Sequence, residues 1–272
     1  MFGQASSSHP IREVPAFKLD LWRASARAAC VVIPVINEGV RIRSLVERMF
    51  RLGIHRIADI IVVDGGSCDG SLDRAYLEPR GIRGVVTKIG PGRLSSQLRC
   101  GYAVALDDGY EHIVTIDGND KDDPAAIPKM IDSLRAGTDF VQASRFVRGG
   151  VAENTPVIRW LAIRLIHAPL LALASGFAWT DTTQGFRGYS RRLLQDDRIG
   201  VFRNCFQSYE LLAYLSYRAP RLGFHCAEVP SARRYPKGVQ TPTKIGGVRG
   251  NLDLFATLVR VCVGAFDPPI KL

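Results

Sequence analysis

Three apolar segments of the chain each end in a short run of acidic, amide and glycine residues. These runs are "NEG" (37–39), "DGGSCDGS" (64–71) and "DGNDKDDP" (117–124). The third run contains four aspartates and one lysine, although the formal net charge of the chain is +10. Carboxylates gathered in a cleft either bind a cation or move protons. We therefore expect chemistry of one of these two kinds where the third segment ends.

Asp117 and Asn119 are the candidate cation ligands in this run. A hard cation such as Mg²⁺ or Mn²⁺ prefers oxygen ligands, and in a phosphate site it takes one or two carboxylates beside the phosphate oxygens. Any one of the three runs alone could be a turn or a helix N-cap. Three of them in one half of the chain favour a shared site, where local acids hold a cation and the basic remainder of the chain holds a diphosphate.

The elements that must position these runs alternate between strand and helix. Short apolar segments predict strands over 30–36, 59–64, 84–89 and 112–117, and helical spacing lies between them at 40–53 and 94–109. This order predicts an α/β fold with a parallel sheet covered on both faces. In such sheets ligands bind beyond the carboxyl ends of the strands, which is where the three polar runs lie.

The pattern changes after about residue 138. It predicts a strand over 138–146, a helix over 155–169 that Pro169 ends, a helix over 210–219, a strand over 224–235 and a last helix over 250–266. In the last helix Leu252, Phe255, Val259, Cys262 and Phe266 share one face. Residues 1–28, which are rich in serine and proline near their start, are expected to be irregular.

Composition limits the classes of protein that fit. The 36 Lys and Arg residues against 26 Asp and Glu favour anionic partners such as nucleotides, nucleic acid or a membrane surface. The N-terminal segment lacks the features of a signal peptide, and the six cysteines form no CxxC pair, so we expect a cytoplasmic protein with reduced thiols. Charged residues and a proline interrupt the most apolar stretch, so we expect the chain to lie against a membrane at most.

Five motifs together resemble the family 2 inverting glycosyltransferases. They are "VVIPVINEG", "VVDGGSCDGS", "TIDGNDKDDPAAIPKMI", "SRFVRGG" and "TTQGFRGYSRRLL", in the order and approximate spacing of that family, over roughly residues 28–240. The chain is most similar to the subgroup that glycosylates dolichyl or polyprenyl phosphate. The resemblance implies the GT-A fold, a nucleoside-diphosphate sugar as donor and a divalent cation, Mg²⁺ or Mn²⁺.

On the donor side, the resemblance implies that Pro34, Asn37 and Glu38 line the nucleoside pocket and that Asp64 meets the base. Asp117 begins the Asp-x-Asp motif of the family and would bind the cation, together with Asn119 at the position of the second acid. Two further departures are that Gly65 stands at the second acid of the "VVDGG" motif, and that Lys121 stands where the subgroup offers an amide as a further metal ligand.

On the acceptor side, Arg145 and Arg159 have the spacing at which the subgroup places its acceptor-phosphate arginines. A phosphate monoester is largely dianionic at neutral pH and can attack an anomeric carbon without a general base, so it needs only cations that position it. A guanidinium suits phosphate oxygens by its planar geometry. Without the resemblance, a surface salt bridge or a solvated helix face would explain these arginines equally well.

The segment "TDTTQGFRGYSRR" contributes Asp181, Thr183, Gln184 and Arg187, which by resemblance lie beside the donor sugar and the acceptor. Asp181 is the candidate general base if the acceptor is a hydroxyl, with Glu210 as a second candidate. A buried structural ion pair is the other interpretation of Arg187. A later basic segment, "ARRYPKGVQTPTKIGG", has the composition of a loop that closes over a diphosphate. Its candidate donor ligands are Arg234 and Lys237, with Arg233 and Lys244 as further basic residues.

The sequence thus predicts an irregular lead-in (1–28), a GT-A catalytic domain (29–240) and a basic loop with an amphipathic helix (241–272). We expect an inverting glycosyltransferase that moves a sugar from a nucleoside diphosphate to a polyprenyl phosphate at the cytoplasmic face of a membrane. Transfer to a glycan or lipid-linked sugar hydroxyl is the alternative. A nucleotidyltransferase fits less well. A noncatalytic nucleic-acid-binding module also fits poorly, because no aromatic stacking platform is evident and the acidic strand ends would repel a phosphate backbone.

Overall fold

A computed structural model describes residues 12–236 and 247–269. The predicted ligand Lys237, and Lys244 with it, fall between these two ranges. The main sheet has eight strands in the order β1-β4-β3-β2-β5-β8-β6-β9, and a separate ribbon pairs β10 with β7. The strands are β1 (Phe17–Trp22), β2 (Ala29–Val35), β3 (Asp59–Asp64), β4 (Ile82–Lys88), β5 (His112–Thr115), β6 (Phe140–Ser144), β7 (Val151–Glu153), β8 (Arg187–Ser190), β9 (Cys226–Pro230) and β10 (Ala232–Arg234).

Nine α-helical segments lie in the described residues, with short 3₁₀ turns between some of them. They are α1 (Val40–Arg51), α2 (Arg74–Leu77), α3 (Leu94–Asp107), α4 (Ile127–Arg135), α5 (Val157–Ala162), α6 (Ala168–Ser175), α7 (Arg191–Gln195), α8 (Glu210–Arg221) and α9 (Gly247–Cys262). The 3₁₀ turns are Ile54–Arg56, Glu78–Arg80 and Pro124–Ala126, and a wider turn of π type, Ile163–His167, joins α5 to α6.

Strands β2, β3, β4 and β5 are parallel neighbours, whereas β8 runs antiparallel between β5 and β6. Alternate residues of the central strand β2 face opposite sides of the sheet. Cys30 and Val32 join the core beneath α3, α8 and α9, while Val31 and Ile33 join the core beneath α1 and α4. Both faces of β2 are thus buried, which explains why this strand is apolar throughout.

The predicted α/β class with a mostly parallel sheet flanked by helices is confirmed. Three strands escaped the sequence analysis, one of them the short β7. Phe17–Trp22, within the segment expected to be irregular, pairs antiparallel with β4 at one edge of the sheet. Arg187–Ser190 forms β8 in the sheet interior, although the sequence analysis predicted no strand there. The single strand expected over 224–235 is two strands, β9 and β10, which belong to different sheets.

The helix predicted to end at Pro169 continues to Ser175. Pro169 lies in the first turn of α6, directly after the π turn. A proline, which has no N–H to donate, is tolerated at this position, so the helix continues past it. By length and composition alone this helix could cross a membrane. Its buried residues Ile163, Ala168, Leu171 and Ser175 pack on the domain.

The predicted apolar face of the last helix is mostly not the face that packs on the domain. Leu258 and Val261 of α9, and Phe266 beyond it, are buried. Leu252, Phe255 and Val259 share a face as predicted, but this face is exposed to solvent. The helix therefore carries apolar side chains on two sides, of which only one is covered by the domain.

Candidate active site

The loops that follow β3 and β5 meet at the carboxyl end of β2. The Gly65 N–H donates to the Val35 carbonyl at 2.8 Å, and the Gly118 N–H donates to the Pro34 carbonyl at 3.3 Å. A Cβ atom at Gly118 would lie 2.8 Å from Val35 Cγ2, so a glycine allows this approach. Asp64 and Asp117 stand at the strand ends next to these glycines. The structure therefore brings the two predicted acidic runs to one edge of the sheet.

Asn37 ties the end of β2 to the loop after β3. Its Oδ1 accepts a hydrogen bond from the Cys68 N–H at 2.9 Å, and its own N–H donates to Ser67 Oγ at 2.9 Å. Asn37 has φ of 49°, a left-handed conformation that asparagine tolerates better than most residues. Asp64, which is buried, accepts from the Ser67 N–H at 2.8 Å. These bonds fix the loop that the sequence assigns to the nucleoside.

The other two residues predicted for the nucleoside pocket lie beside Asn37. Pro34 is half-buried in β2, opposite Val63 of β3. The Glu38 carboxylate forms an ion pair with Arg41 at 2.7 Å, one helical turn further on. The residues predicted for the nucleoside pocket are thus close together in the structure.

The collection of acids in residues 117–124 has a structural explanation for three of its four members. Arg48 on α1 binds Asp120 at 2.8 Å and Asp123 at 2.9 Å. Asp122 is buried and binds Arg233 of β10 at 2.5 Å. Burial disfavours the charge of Arg233, but the Asp122 carboxylate raises the pKa of this guanidinium above its ordinary value. These arginines anchor the loop and leave Asp117 as the acid with no arginine at hydrogen-bond distance within the described residues.

Asp117 lies against the backbone at Gly185. A Cβ atom at Gly185 would lie 2.3 Å from Asp117 Oδ1, so only a glycine allows the carboxylate to come this close. Arg233 Nη1 is 3.8 Å from Asp117 Oδ2. Asn119, the second predicted ligand, accepts the Lys121 N–H at 3.2 Å through its Oδ1. Within the described residues no three acidic, histidine or cysteine side chains form a metal-binding group. The donor set thus fits a cation held by one carboxylate, one amide and the phosphates of a ligand.

Arg145 and Asp181 form a bidentate ion pair that is closed to solvent. Arg145 Nε donates to Asp181 Oδ2 at 2.7 Å and Nη2 donates to Oδ1 at 2.9 Å, with exposed side-chain fractions of 1% and 0%. Arg145 Nη2 also donates to Thr183 Oγ1 at 3.0 Å. The remaining Nη1 of Arg145 is buried and has no hydrogen-bond partner within the described part of the chain. One donor of this guanidinium is therefore left for a ligand.

Asp181 is poorly suited to be the general base that the hydroxyl alternative requires. Burial opposes its ionisation, but the hydrogen bonds and charge of Arg145 hold its pKa below its ordinary value. Gln184 Nε2 donates to the same carboxylate at 2.5 Å. The second candidate base, Glu210, accepts from the backbone N–H groups of Gln207 and Ser208 and so caps α8. Both carboxylates hold structure in place.

Arg187, predicted as a nucleotide ligand, is bound to the backbone of the chain. It is fully buried in β8 and donates to three backbone carbonyls, those of Gln184, Thr182 and Leu212. The partners are carbonyls of the chain, so Arg187 stabilises the loop before β8 and cannot reach a ligand. Gln184 itself is buried, and its Oε1 lacks a partner among the residues described.

Arg234 also differs from its prediction, because successive residues of a strand point to opposite sides. Arg234 turns outward, has a side chain that is 53% exposed and binds Glu153 of β7 at 2.9 Å. Arg233 turns inward to Asp122 and Asp117. The basic residue that β10 contributes to the site is therefore Arg233. The sequence analysis named Arg234, and not Arg233, as a candidate donor ligand.

Tyr235 lies among three cations. Arg159 Nη1 donates to its hydroxyl at 3.0 Å, Lys121 Nζ is 5.3 Å from the centre of its ring, and Arg233 Cζ is 5.8 Å from that centre. Burial alone would raise the pKa of the Tyr235 hydroxyl, but Arg233 and Arg159 lower it to about 8. Within the described chain, Lys121 and Arg159 have no carboxylate within 4.0 Å. This group of four residues, the Tyr235 cluster, therefore suits an anion.

Glu228, like Tyr235, is a residue that the sequence analysis did not identify. Its carboxylate accepts from the Thr180 N–H and hydroxyl and from the Asp181 N–H, at 2.8 to 3.1 Å. Burial raises the pKa of Glu228. No local motif marks this residue, because the fold alone brings β9 close to the distant residues 180 and 181. It fixes the backbone that carries Asp181.

Solved structures define the class of this fold. Mannosyl-3-phosphoglycerate synthase from Rubrobacter xylanophilus matches with a TM-score of 0.61 at 16% identity, over 88% of this chain and 73% of that one. Glucosyl-3-phosphoglycerate synthase from Mycobacterium tuberculosis, solved with Mn²⁺, UDP and phosphoglyceric acid, matches with a TM-score of 0.56 at 22% identity, over 86% of this chain and 78% of that one. The architecture is that of the GT-A glycosyltransferases, as expected.

Sequence comparison then gives the family. The model of glycosyl transferase family 2 matches residues 30–198. The dolichyl-phosphate hexose transferase of Haloferax volcanii is 30% identical over 238 residues, 86% of this chain and 93% of that protein. The polyprenol monophosphomannose synthase of Mycolicibacterium smegmatis is 28% identical over 209 residues, 74% of this chain and 75% of that protein. This chain belongs to glycosyl transferase family 2 and is a glycosyltransferase, which confirms the family and enzyme predictions.

Proposed function

We propose that this glycosyltransferase transfers a sugar from a nucleoside diphosphate to a polyprenyl phosphate, with inversion at the anomeric carbon. Relatives with such acceptors in their names support this proposal, including those of H. volcanii and M. smegmatis. The structural observation that carries it is the Tyr235 cluster beside Asp117, in a site whose candidate bases are both occupied. A phosphate acceptor needs cations and no base, which is the chemistry that these residues offer.

On the donor side, Asn37, Glu38 and Asp64 would hold the nucleoside, and Asp117 with Asn119 would hold Mg²⁺ or Mn²⁺ on the diphosphate. The bound cation would stabilise the charge of the departing nucleoside diphosphate. One carboxylate is a small contribution from the protein, so the phosphate oxygens would supply much of the coordination.

On the acceptor side, Arg159 and the free Nη1 of Arg145 would bind the phosphate. Asp181 fixes the plane of the Arg145 guanidinium and so limits the directions from which the phosphate can approach. Catalysis would then depend on position and electrostatics, because the acceptor oxygen already carries charge.

A polyprenyl acceptor places the enzyme at a membrane, and we propose that it binds peripherally to the cytoplasmic face. Two neighbouring helical regions carry exposed apolar side chains, and Cys262 of α9 contacts the Leu170 carbonyl of α6. The exposed residues are Val157, Ile158, Leu161, Leu165, Ile166 and Leu173 in the long helix, and Leu252, Phe255, Val259 and Val263 on and just after α9. Arg164 and Arg260 are exposed among them and suit an anionic lipid surface.

The test is a transfer assay with a panel of nucleotide sugars, offered with polyprenyl phosphate or with glycan acceptors. We expect transfer to the phosphate, and an Arg159→Gln variant should lose at least tenfold in kcat/KM with the phosphate acceptor while donor hydrolysis by water is unchanged. Arg148→Gln, which removes an exposed arginine between β6 and β7, serves as the matched control. Transfer to the glycan alone would contradict the proposal.

A further inference from the structure

Lys121 lies in the site but has no role in the proposed function. It lies four residues after Asp117 in the same loop, with its Nζ above the ring of Tyr235. It is half-buried, and its carboxylate neighbours Asp120, Asp122 and Asp123 are all bound to arginines. A half-buried ammonium without a carboxylate within 4.0 Å, among the residues described, is costly unless a ligand neutralises it.

The position of Lys121 relates it to the donor side of the site. Its Nζ lies 5.3 Å from the centre of the Tyr235 ring, and the Cζ of Arg233 lies 5.8 Å from the same centre. Arg233 Nη1 is in turn 3.8 Å from Asp117 Oδ2, so Lys121 and Asp117 have Arg233 as a common neighbour. Arg145 and Arg159 already serve the acceptor phosphate in the proposed function. The diphosphate, in contrast, must approach the negative Asp117. Arg233 lies beside that carboxylate but is already paired with Asp122, so a further positive charge is needed there.

We infer that Lys121 is a fixed counter-ion for the diphosphate of the donor, so that this chain binds nucleoside diphosphates without a divalent cation. The inference rests on the proposed function, because it assumes that a nucleoside diphosphate lies at Asp117. An ammonium cannot coordinate a metal ion, but it donates up to three hydrogen bonds to phosphate oxygens. It also remains in place when the metal leaves, whereas a single carboxylate and an amide hold a divalent ion weakly.

The experiment measures binding of UDP and GDP to the full chain by calorimetry, in EDTA and in saturating Mn²⁺. For the unaltered protein, we expect the affinity in EDTA to be within about threefold of that in Mn²⁺ for the nucleotide that binds. The Lys121→Gln variant should lose at least tenfold in EDTA and recover most of this loss in Mn²⁺, since glutamine offers an amide oxygen to the metal. The Lys121→Arg variant should behave like the unaltered protein, because it keeps the charge.

Lys129→Gln is the matched control, since it removes an exposed lysine of α4 and should change neither affinity. Melting temperatures of all variants show whether the fold is kept, and the Lys121→Arg result decides the question if Lys121→Gln is unstable. Binding that requires Mn²⁺ in the unaltered protein, or an unchanged affinity of Lys121→Gln in EDTA, would overturn the inference alone. Failure of both nucleotides to bind under either condition would overturn the proposed function together with it.

Discussion

Arg145 and Asp181 show how a residue predicted from a motif acquires a different role in the structure. The sequence offers the arginine as a phosphate ligand and the aspartate as a base. The structure closes them into one buried pair, with a single guanidinium nitrogen left over. Removing one partner of such a pair leaves an uncompensated buried charge.

We predict that Asp181→Asn lowers the free energy of unfolding by about 3–5 kcal/mol, the usual cost of breaking a buried pair. Activity should fall with every acceptor, since the variant misplaces Arg145 and Asp181 is not the general base in the proposed mechanism. Urea unfolding measures the first effect and kcat/KM with two acceptors measures the second. The double variant Arg145→Met with Asp181→Leu should be more stable than Asp181→Asn. Loss of activity toward hydroxyl acceptors alone would instead support Asp181 as a base.

Other residues of the site could be predicted only in part. Asp64, Asp117 and Asn37 follow apolar strands directly, so their convergence follows from the parallel order of those strands. Tyr235 and Glu228 join the site through contacts between segments distant in sequence, and no local pattern marks such contacts. The direction of Arg233 and Arg234 depends on the register of a three-residue strand, which composition does not determine.

Among the elements, the helix Val157–Ser175 shows most clearly what a local rule misses. Pro169 predicts a helix end, yet the helix continues, because the proline follows a π turn and stands in the first turn of α6. The π turn also carries His167, whose Nδ1 is 2.6 Å from Thr182 Oγ1. The long helix is thereby joined to the loop that holds Asp181. Strand β8 was missed for a related reason, because its four residues are too few to show alternation.

His167 gives a prediction about pH. Burial, with help from Arg187, lowers its pKa from 6.5 to about 4. Between these values the unfolded chain takes up a proton and the folded chain does not, so the free energy of unfolding falls as the pH is lowered. The contribution of this residue is complete above pH 6.5 and declines by about 1.4 kcal/mol per pH unit at most within the window.

Urea unfolding at pH 7 and pH 5 tests this prediction by comparing the unaltered protein with His167→Gln. We expect the variant to lose less stability between the two pH values, because glutamine does not titrate. The comparison between proteins cancels the titration of other groups. Equal losses in the two proteins would contradict the assignment of the effect to His167.

At the scale of the whole molecule, charge and exposed apolar surface coincide. The chain has a net charge of +10, and Leu252, Phe255 and Val259 are 61%, 47% and 40% exposed. A surface with both properties binds anionic membranes more strongly than neutral ones, and salt weakens the electrostatic part.

We predict that the protein sediments with vesicles that contain phosphatidylglycerol and less with pure phosphatidylcholine. Phe255→Ser combined with Val259→Ser should lower this partitioning about tenfold or more, given the free energy of burying such side chains. The control is Leu52→Ser combined with Ile89→Ser, which changes exposed apolar residues on other elements. Equal partitioning of the two double variants would exclude α9 as the membrane contact.

The ribbon of β7 and β10 has a consequence for how the chain can vary in length. The Arg234 N–H donates to the Lys121 carbonyl at 2.8 Å, and the Tyr235 N–H donates to the Glu153 carbonyl at 3.1 Å, so the ribbon grips both the aspartate loop and the segment before α5. Insertion of one residue ahead of Arg233 would exchange the inner and outer sides of the ribbon. Arg233 would then leave the buried Asp122, and the Tyr235 side chain would face solvent. Insertions or deletions in this part of the chain should therefore be tolerated only when they change its length by an even number of residues. Loops elsewhere on the molecule need not follow this rule.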